Sequence, residues 1–108
     1  MKKNKIFVAC DTTNIKRIRH IINHTKHSKI KFGYKFGLQF LNSKNGRNFI
    51  SKLKNKIVFA DYKIHDIPNT CALAIKAIKD LNINYLTIHI SSGLEALKAA
   101  KSLVNPWL

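Results

Sequence analysis

Acidic residues are scarce in this chain. Its 108 residues include only five aspartates and glutamates against 20 lysines and arginines, which gives a formal net charge of +15. Only three of the basic residues are arginines, the side chain that grips phosphate through two parallel hydrogen bonds, and the lysines form no long basic block. The excess charge therefore indicates a lysine-rich composition more than a surface selected to bind nucleic acid. Nucleic acid is not the partner that this sequence predicts.

Cysteine is also scarce, and long apolar runs are absent from the sequence. Cys10 and Cys71 have neither CxxC spacing nor a histidine pattern for zinc, so we expect two structural thiols and no metal. No apolar run approaches the ~20 residues of a membrane span, and the lysine-rich start is followed only by a short apolar run, unlike a signal peptide. These features predict a cytoplasmic protein that needs no membrane.

The sequence contains short apolar runs, typical of strands, that alternate with segments whose apolar residues recur at helical spacing. This alternation occurs four times. The predicted strands are residues 5–10, 28–34, 57–60 and 85–88. The predicted helices are a first one carrying Ile15 to Ile22, a short one at 36–41, one beginning near Phe49, one over 72–81 ended by Asn82, and a last one over 94–101 closed by Pro106.

This order predicts an α/β fold with parallel strands joined by helical crossovers. A complete (β/α)8 TIM barrel has eight such units and typically ~250 residues. We therefore expect residues 1–108 to form a single partial domain, a (βα)4 half-barrel. An open four-stranded sheet leaves two unpaired edges, so we expect either a truncated chain or one that pairs with another half.

Polar residues gather where the predicted strands end, which is where chemistry collects in such folds. Asp11 ends the first strand, Asp61 and Lys63 end the third, and His89 ends the fourth. Lys31 is placed within the second strand, toward the same end. Asp61 and Lys63 are two residues apart and so should share one face of an extended strand, pointing inward with Lys31.

Two carboxylates flank one lysine at positions 61, 63 and 66. A carboxylate held close to a substrate carboxylate raises the energy of that anion, by roughly 4 kcal/mol at 4 Å and an effective dielectric near 20. The repulsion ends when the substrate loses CO2, and the lysine can protonate the carbanion left behind. The pattern fits decarboxylation without a metal, and it fits equally well a salt-bridge network that braces a strand end.

The stretch from Phe59 to Thr70, FADYKIHDIPNT, resembles the signature of the orotidine 5′-monophosphate decarboxylase family, Asp-x-Lys-x-x-Asp-Ile-Pro-Asn-Thr after an apolar strand. Three further stretches resemble family strand ends in order and spacing: Val8–Asp11, Ile30–Gly33, and Thr87–His89 with Gly93. The resemblance covers nearly the whole chain but only the amino-terminal half of the family's barrel.

The resemblance implies conversion of orotidine 5′-phosphate to UMP and CO2 without a cofactor. Lys63 would donate a proton to C6 of the pyrimidine and Asp61 would press on the substrate carboxylate. Lys31 would complete the charged array and bind ribose hydroxyls, and Asp11 would bind a ribose hydroxyl.

The resemblance also implies a dimer. Asp66, the second aspartate of the motif, would reach into the neighbouring subunit's site, accompanied by Ile67 and Thr70.

Some residues depart from the family pattern. Lys35 stands where an acidic residue is common after Lys-x-Gly, and Ile90 and Ser92 replace Ala and Gly in the fourth loop. The family's pyrimidine-reading loop, closing loop and phosphate-binding Gly-Arg belong to the second half of the barrel, so this chain alone should be a poor catalyst or none.

Two other functions remain open. One is a non-catalytic basic binding protein derived from the barrel, and DNA binding that weakens steeply with salt would support it. The other is a related sugar-phosphate decarboxylase, which would require magnesium. The motif Ile67 to Thr70 argues against it, because those enzymes usually lack this motif.

Overall fold

The computed structural model describes residues 6–102, in which strands and helices alternate. The strands are β1 (Ile6–Cys10), β2 (Phe32–Gly37), β3 (Ile57–Ile64) and β4 (Tyr85–Ile88). The helices are α1 (Ile15–Thr25), α2 (Leu38–Leu41), α3 (Gly46–Ser51), α4 (Pro68–Ala77) and α5 (Leu94–Lys101), with 3₁₀ turns at Lys79–Leu81 and Ile90–Ser92. The predicted α/β alternation is confirmed. Lys5 and Pro106, predicted to begin the first strand and to close the last helix, lie outside the described residues.

The four strands form one parallel sheet in the order β1-β2-β3-β4. Ile6 to Cys10 pair with Phe32 to Phe36, and Gly33 to Gly37 pair with Ile57 to Asp61. Because all strands run the same way, their carboxyl ends meet at one edge of the sheet. The pairing of β3 with β4 is regular only up to Ala60 and shifts before Ile64.

The core lies between one face of the sheet and the helices. Alternate residues of the strands are buried there, including Cys10, Tyr34, Phe36, Val58 and Ala60. They pack with apolar side chains of the helices and of the turn after α4, namely Ile18, Ile22, Phe40, Leu41, Ile50 and Leu81. Every second strand residue is apolar on this side because the covering helices bury it.

The opposite, concave face carries an aromatic cluster. The ring of Phe7 on β1 lies 5.3 Å from that of Phe59 and 5.4 Å from that of Tyr85, both edge-to-face. Gly33 makes room for this cluster, since a Cβ at that position would lie 2.6 Å from the Phe7 ring. Contact between rings of the first and fourth strands requires the sheet to curve, as it does in a barrel wall.

The second strand differs from its prediction. It begins at Phe32 and extends to Gly37, so Lys31 immediately precedes its amino end and does not lie toward its carboxyl end. Ile30, which falls inside the predicted strand, is half exposed, whereas Phe36 is completely buried and belongs to the strand instead of the predicted short helix. The register with β1 decides this, because it places Phe36 beside Cys10 under the helices.

Other boundaries moved by a few residues. β3 continues four residues beyond the predicted Ala60. The short helix begins at Leu38 instead of 36. α4 begins at Pro68, before the predicted start at residue 72, because proline is well suited to the first turn of a helix. α4 itself ends at Ala77 and a 3₁₀ turn continues to Leu81; Asn82 then ends the helical region, as predicted, and adopts a left-handed conformation. Within residues 6–102 no helix is both long and apolar enough to cross a membrane.

Candidate active site

The carboxyl edge of the sheet brings most of the predicted polar residues together. Asp11 follows β1, Asp61 and Lys63 lie near the end of β3, and His89 follows β4. Asp11 is exposed, and its negative charge adds to burial in raising the pKa of the neighbouring Cys10 thiol to about 11.

Asp61 is the best-connected charged residue at this edge. Lys63 Nζ donates to its Oδ2 at 2.6 Å, and the Thr87 hydroxyl donates to its Oδ1 at 2.7 Å. These two hydrogen bonds outweigh partial burial and hold the pKa of the Asp61 carboxyl below its usual value. The carboxylate is thus kept ionised, and its side chain is only 15% exposed while that of Lys63 is 55% exposed.

The backbone at Lys63 takes an unusual conformation. Its φ is +52°, in the left-handed region that residues with a Cβ seldom adopt. The irregularity lies where β3 loses its regular pairing with β4. The Lys63 N–H donates to the Thr87 hydroxyl at 2.9 Å. The Asp61–Lys63 ion pair therefore forms at a point where the strand is irregular.

Lys31 does not belong to this cluster. It precedes β2 at the amino end of the strand, while Asp61 lies near the carboxyl end of β3. The prediction that it points inward beside Asp61 and Lys63 is wrong. The register of β2 places Lys35, four residues later in the chain, beside β3 at the position expected for Lys31.

Lys35 occupies the place expected of Lys31. It pairs in register with Phe59, which shares a face of β3 with Asp61, and its positive charge contributes to lowering the pKa of Asp61. In the sequence, Lys35 stands out only as a departure from the family pattern. The signal that could have found it is a repeated tripeptide: Lys-Phe-Gly occurs at 31–33 and again at 35–37.

Asp66 bonds within its own loop and to the turn that follows β4. Its backbone N–H donates to the Ser92 hydroxyl at 3.2 Å, and its Oδ1 accepts from the Ile67 N–H at 2.8 Å. Its carbonyl accepts from the buried Cys71 thiol. Within the described chain it forms no ion pair with Lys63, and it is exposed together with Ile67 and Thr70 at the start of α4.

Two histidines join the loops after β3 and β4. The rings of His65 and His89 lie 4.9 Å apart, and His65 Nε2 is 3.3 Å from the Ser91 hydroxyl. The His89 N–H donates to the Ile64 carbonyl. In the part of the chain that the structure describes, no three His, Cys, Asp or Glu side chains come together as a metal site.

The fold and this edge define a half-barrel protein with a carboxylate–lysine pair at the carboxyl ends of its strands. A family model described as "Orotidine 5'-phosphate decarboxylase / HUMPS family" matches residues 4–107. The chain therefore belongs to this family.

Individual relatives agree with this membership. Proteins named orotidine 5′-phosphate decarboxylase are 40% identical over 104 residues in a Wolbachia strain of Brugia malayi and 34% identical over 107 residues in Psychromonas ingrahamii. They match 94% and 95% of this chain but only 45% and 44% of their own lengths. The crystal structure of orotidine 5′-phosphate decarboxylase from Lactobacillus acidophilus superposes with a TM-score of 0.74 at 31% identity, over 92% of this chain and 44% of that one. The chain thus spans less than half the length of these relatives.

Proposed function

We propose that this chain supplies the amino-terminal, carboxylate-facing half of an orotidine 5′-phosphate decarboxylase site. The observation that carries the proposal is the Asp61–Lys63 pair at the carboxyl edge of the sheet, with its 2.6 Å hydrogen bond and its ionised carboxylate. Family membership supports orotidine 5′-phosphate as the substrate and UMP as the product.

The chemistry follows from the positions of the two side chains. With the substrate carboxylate next to Asp61, two negative charges face each other, at a cost of roughly 4 kcal/mol at 4 Å and an effective dielectric near 20. The C6–carboxylate bond breaks, its electron pair stays on C6, and the repulsion ends as CO2 leaves. The ammonium of Lys63 then gives its proton to C6, which completes UMP.

Lys35 is proposed in the role that the sequence suggested for Lys31. Its charge already acts on Asp61, so it can hold the carboxylate ionised and in place when the substrate arrives. Asp11, exposed after β1, is proposed to accept a hydrogen bond from a ribose hydroxyl. Both assignments follow from position on the same edge as Asp61.

A second subunit is part of the proposal. Asp66, Ile67 and Thr70 are exposed, and so are two apolar side chains that follow β4, Ile90 and Leu94. We propose that these residues contact a neighbouring subunit's site in a dimer. β1 and β4 are the edges of the described sheet, and a carboxyl-terminal half-barrel would pair with them.

The location proposed is the cytosol. Cys10 and Cys71 are both buried and free, which suits a reducing compartment. We propose that residues 1–108 form a single partial domain.

The test is formation of UMP from orotidine 5′-phosphate. The chain is assayed alone and mixed with the carboxyl-terminal half of a relative such as the Lactobacillus acidophilus protein. We expect turnover in the mixture only, and its loss in Lys63→Ala. Turnover that survives Lys63→Ala would refute the mechanism, and activity that requires magnesium would favour a sugar-phosphate decarboxylase.

A further inference from the structure

We infer that Thr87 is a positioning residue that holds both members of the Asp61–Lys63 pair, an inference that rests on the function proposed for that pair. Thr87 lies on β4, one strand away from the pair it contacts. It touches neither the proposed proton path nor a reacting atom, so its contribution acts through Asp61 and Lys63.

One hydroxyl makes both contacts. Thr87 Oγ1 donates to Asp61 Oδ1 at 2.7 Å and accepts from the Lys63 N–H at 2.9 Å. A hydroxyl has one proton to donate and two lone pairs to accept with, so the two bonds are compatible and can exist together. The Asp61 carboxylate is thus held from two sides, by Thr87 on Oδ1 and by Lys63 Nζ on Oδ2.

The backbone explains why Lys63 needs such a partner. Between the pairs Ala60–Leu86 and Ile64–Ile88, β3 advances four residues while β4 advances two, so β3 bulges. A bulge leaves residues without their usual partner in the ladder. The Thr87 hydroxyl takes the place of that partner for the Lys63 N–H, and Lys63 is the residue with φ of +52°.

A conformation of this kind persists only where its surroundings hold it. The side chain of Lys63 leaves the bulge in the direction that brings Nζ to Asp61. A β4 residue of similar shape without a hydroxyl would leave the Lys63 N–H unpaired and remove one of the two hydrogen bonds to Asp61. Valine at position 87 has that shape, and serine keeps the hydroxyl.

The variants Thr87→Val and Thr87→Ser test the inference in the 108-residue chain without substrate. We measure the titration of the Asp61 carboxyl carbon by NMR and the hydrogen exchange of the Lys63 amide. In Thr87→Val we expect the Asp61 titration to move to higher pH and the Lys63 amide to exchange roughly tenfold faster, as loss of one hydrogen bond allows. In Thr87→Ser, the Asp61 titration and the exchange rate of the Lys63 amide should both stay close to those of the unsubstituted chain.

Thr25→Val is the matched control. The Thr25 hydroxyl also bonds a side chain, Tyr34, but far from this edge. Its loss should lower overall stability and leave the Asp61 titration and the local exchange of Lys63 unchanged. If Thr87→Val changes neither reading, or if Thr25→Val changes both as much, the inference is overturned.

A further measurement needs no change at position 87. In the unsubstituted chain the Thr87 Cβ signal should titrate together with Asp61, and this titration should vanish in Asp61→Asn. A Thr87 signal that ignores Asp61 would overturn the inference even if Thr87→Val does not fold. Because no reading uses substrate, its failure is distinct from a failure of the UMP assay.

Discussion

Gly46 occupies a position at which even a methyl group has no room. It is the first residue of α3 and is buried in the turn that follows α2. A Cβ built there would lie 1.8 Å from the Phe40 carbonyl oxygen and 2.7 Å from the Ser43 hydroxyl. Backbone atoms cannot swing aside as a flexible side chain can, so Gly46→Ala must open the turn.

The size of the effect follows from what opening the turn breaks. A carbon and a carbonyl oxygen rest about 3.3 Å apart, so the gap must widen by about 1.5 Å. The Ser43 hydroxyl bonds the Phe40 carbonyl at 2.7 Å and accepts from the Gly46 N–H at 3.1 Å. Losing both costs about 2 kcal/mol, and the strain of overpacking adds about 1–3 kcal/mol.

We therefore expect Gly46→Ala to lower the free energy of unfolding by about 3–5 kcal/mol. Domains of this size have about 5–15 kcal/mol in total, so the loss is large. Urea unfolding followed by circular dichroism measures it, and at a slope near 2 kcal/mol/M the midpoint falls by about 2 M.

Gly37→Ala is the matched control, because a Cβ at Gly37 meets nothing within 4 Å. It should leave stability unchanged or raise it by up to about 1 kcal/mol. If Gly46→Ala lowers the free energy of unfolding by less than about 1 kcal/mol, the reasoning from the turn is refuted.

Three further predictions concern the site and its surroundings. In the reconstituted UMP assay, Lys35→Ala should cost at least about 100-fold in turnover, as removing one preorganised charge does, while Lys31→Ala should change it little; equal losses would restore Lys31 to the site. Because folding lowers the pKa of Asp61, its stabilising contribution is complete above its unfolded pKa near 4 and disappears as pH falls through the folded value; Asp61→Asn should therefore flatten the acid limb of the urea midpoint, and an unchanged limb would contradict this. Since burial and Asp11 raise the pKa of Cys10 to about 11, its thiol should resist iodoacetamide at pH 8 in the folded chain and react after urea is added, and rapid labelling of the folded chain would contradict its burial.

Elements with strong local signals were predictable from the sequence. β4 and α5 begin and end at the predicted residues, since each is a short periodic run between residues that stop it. The first helix also follows a local signal, since Asn14 is a residue type that favours helix starts, and in the structure it accepts the Lys16 and Arg17 N–H groups where α1 begins at Ile15.

The second strand was not predictable in this way. Residues 30 to 37 read Ile-Lys-Phe-Gly-Tyr-Lys-Phe-Gly, and apolar residues alternate with other residues throughout. Either half of this segment could pair with β1 by pattern alone. Burial of both Tyr34 and Phe36 under the helices selects the later half, and this register fixes which lysine reaches the carboxyl edge.

The sequence by itself determined the family, the alternation of strands and helices, and the chemical character of the site, because these depend on a local motif and on residues close along the chain. Only the tertiary structure decided that Lys35 and not Lys31 faces Asp61, that Asp66 turns toward Ser92, and that Thr87 holds the Asp61–Lys63 pair. The reason is that each of these depends on how neighbouring strands and their loops align, and residues 61 and 87 become neighbours only when β3 and β4 pair.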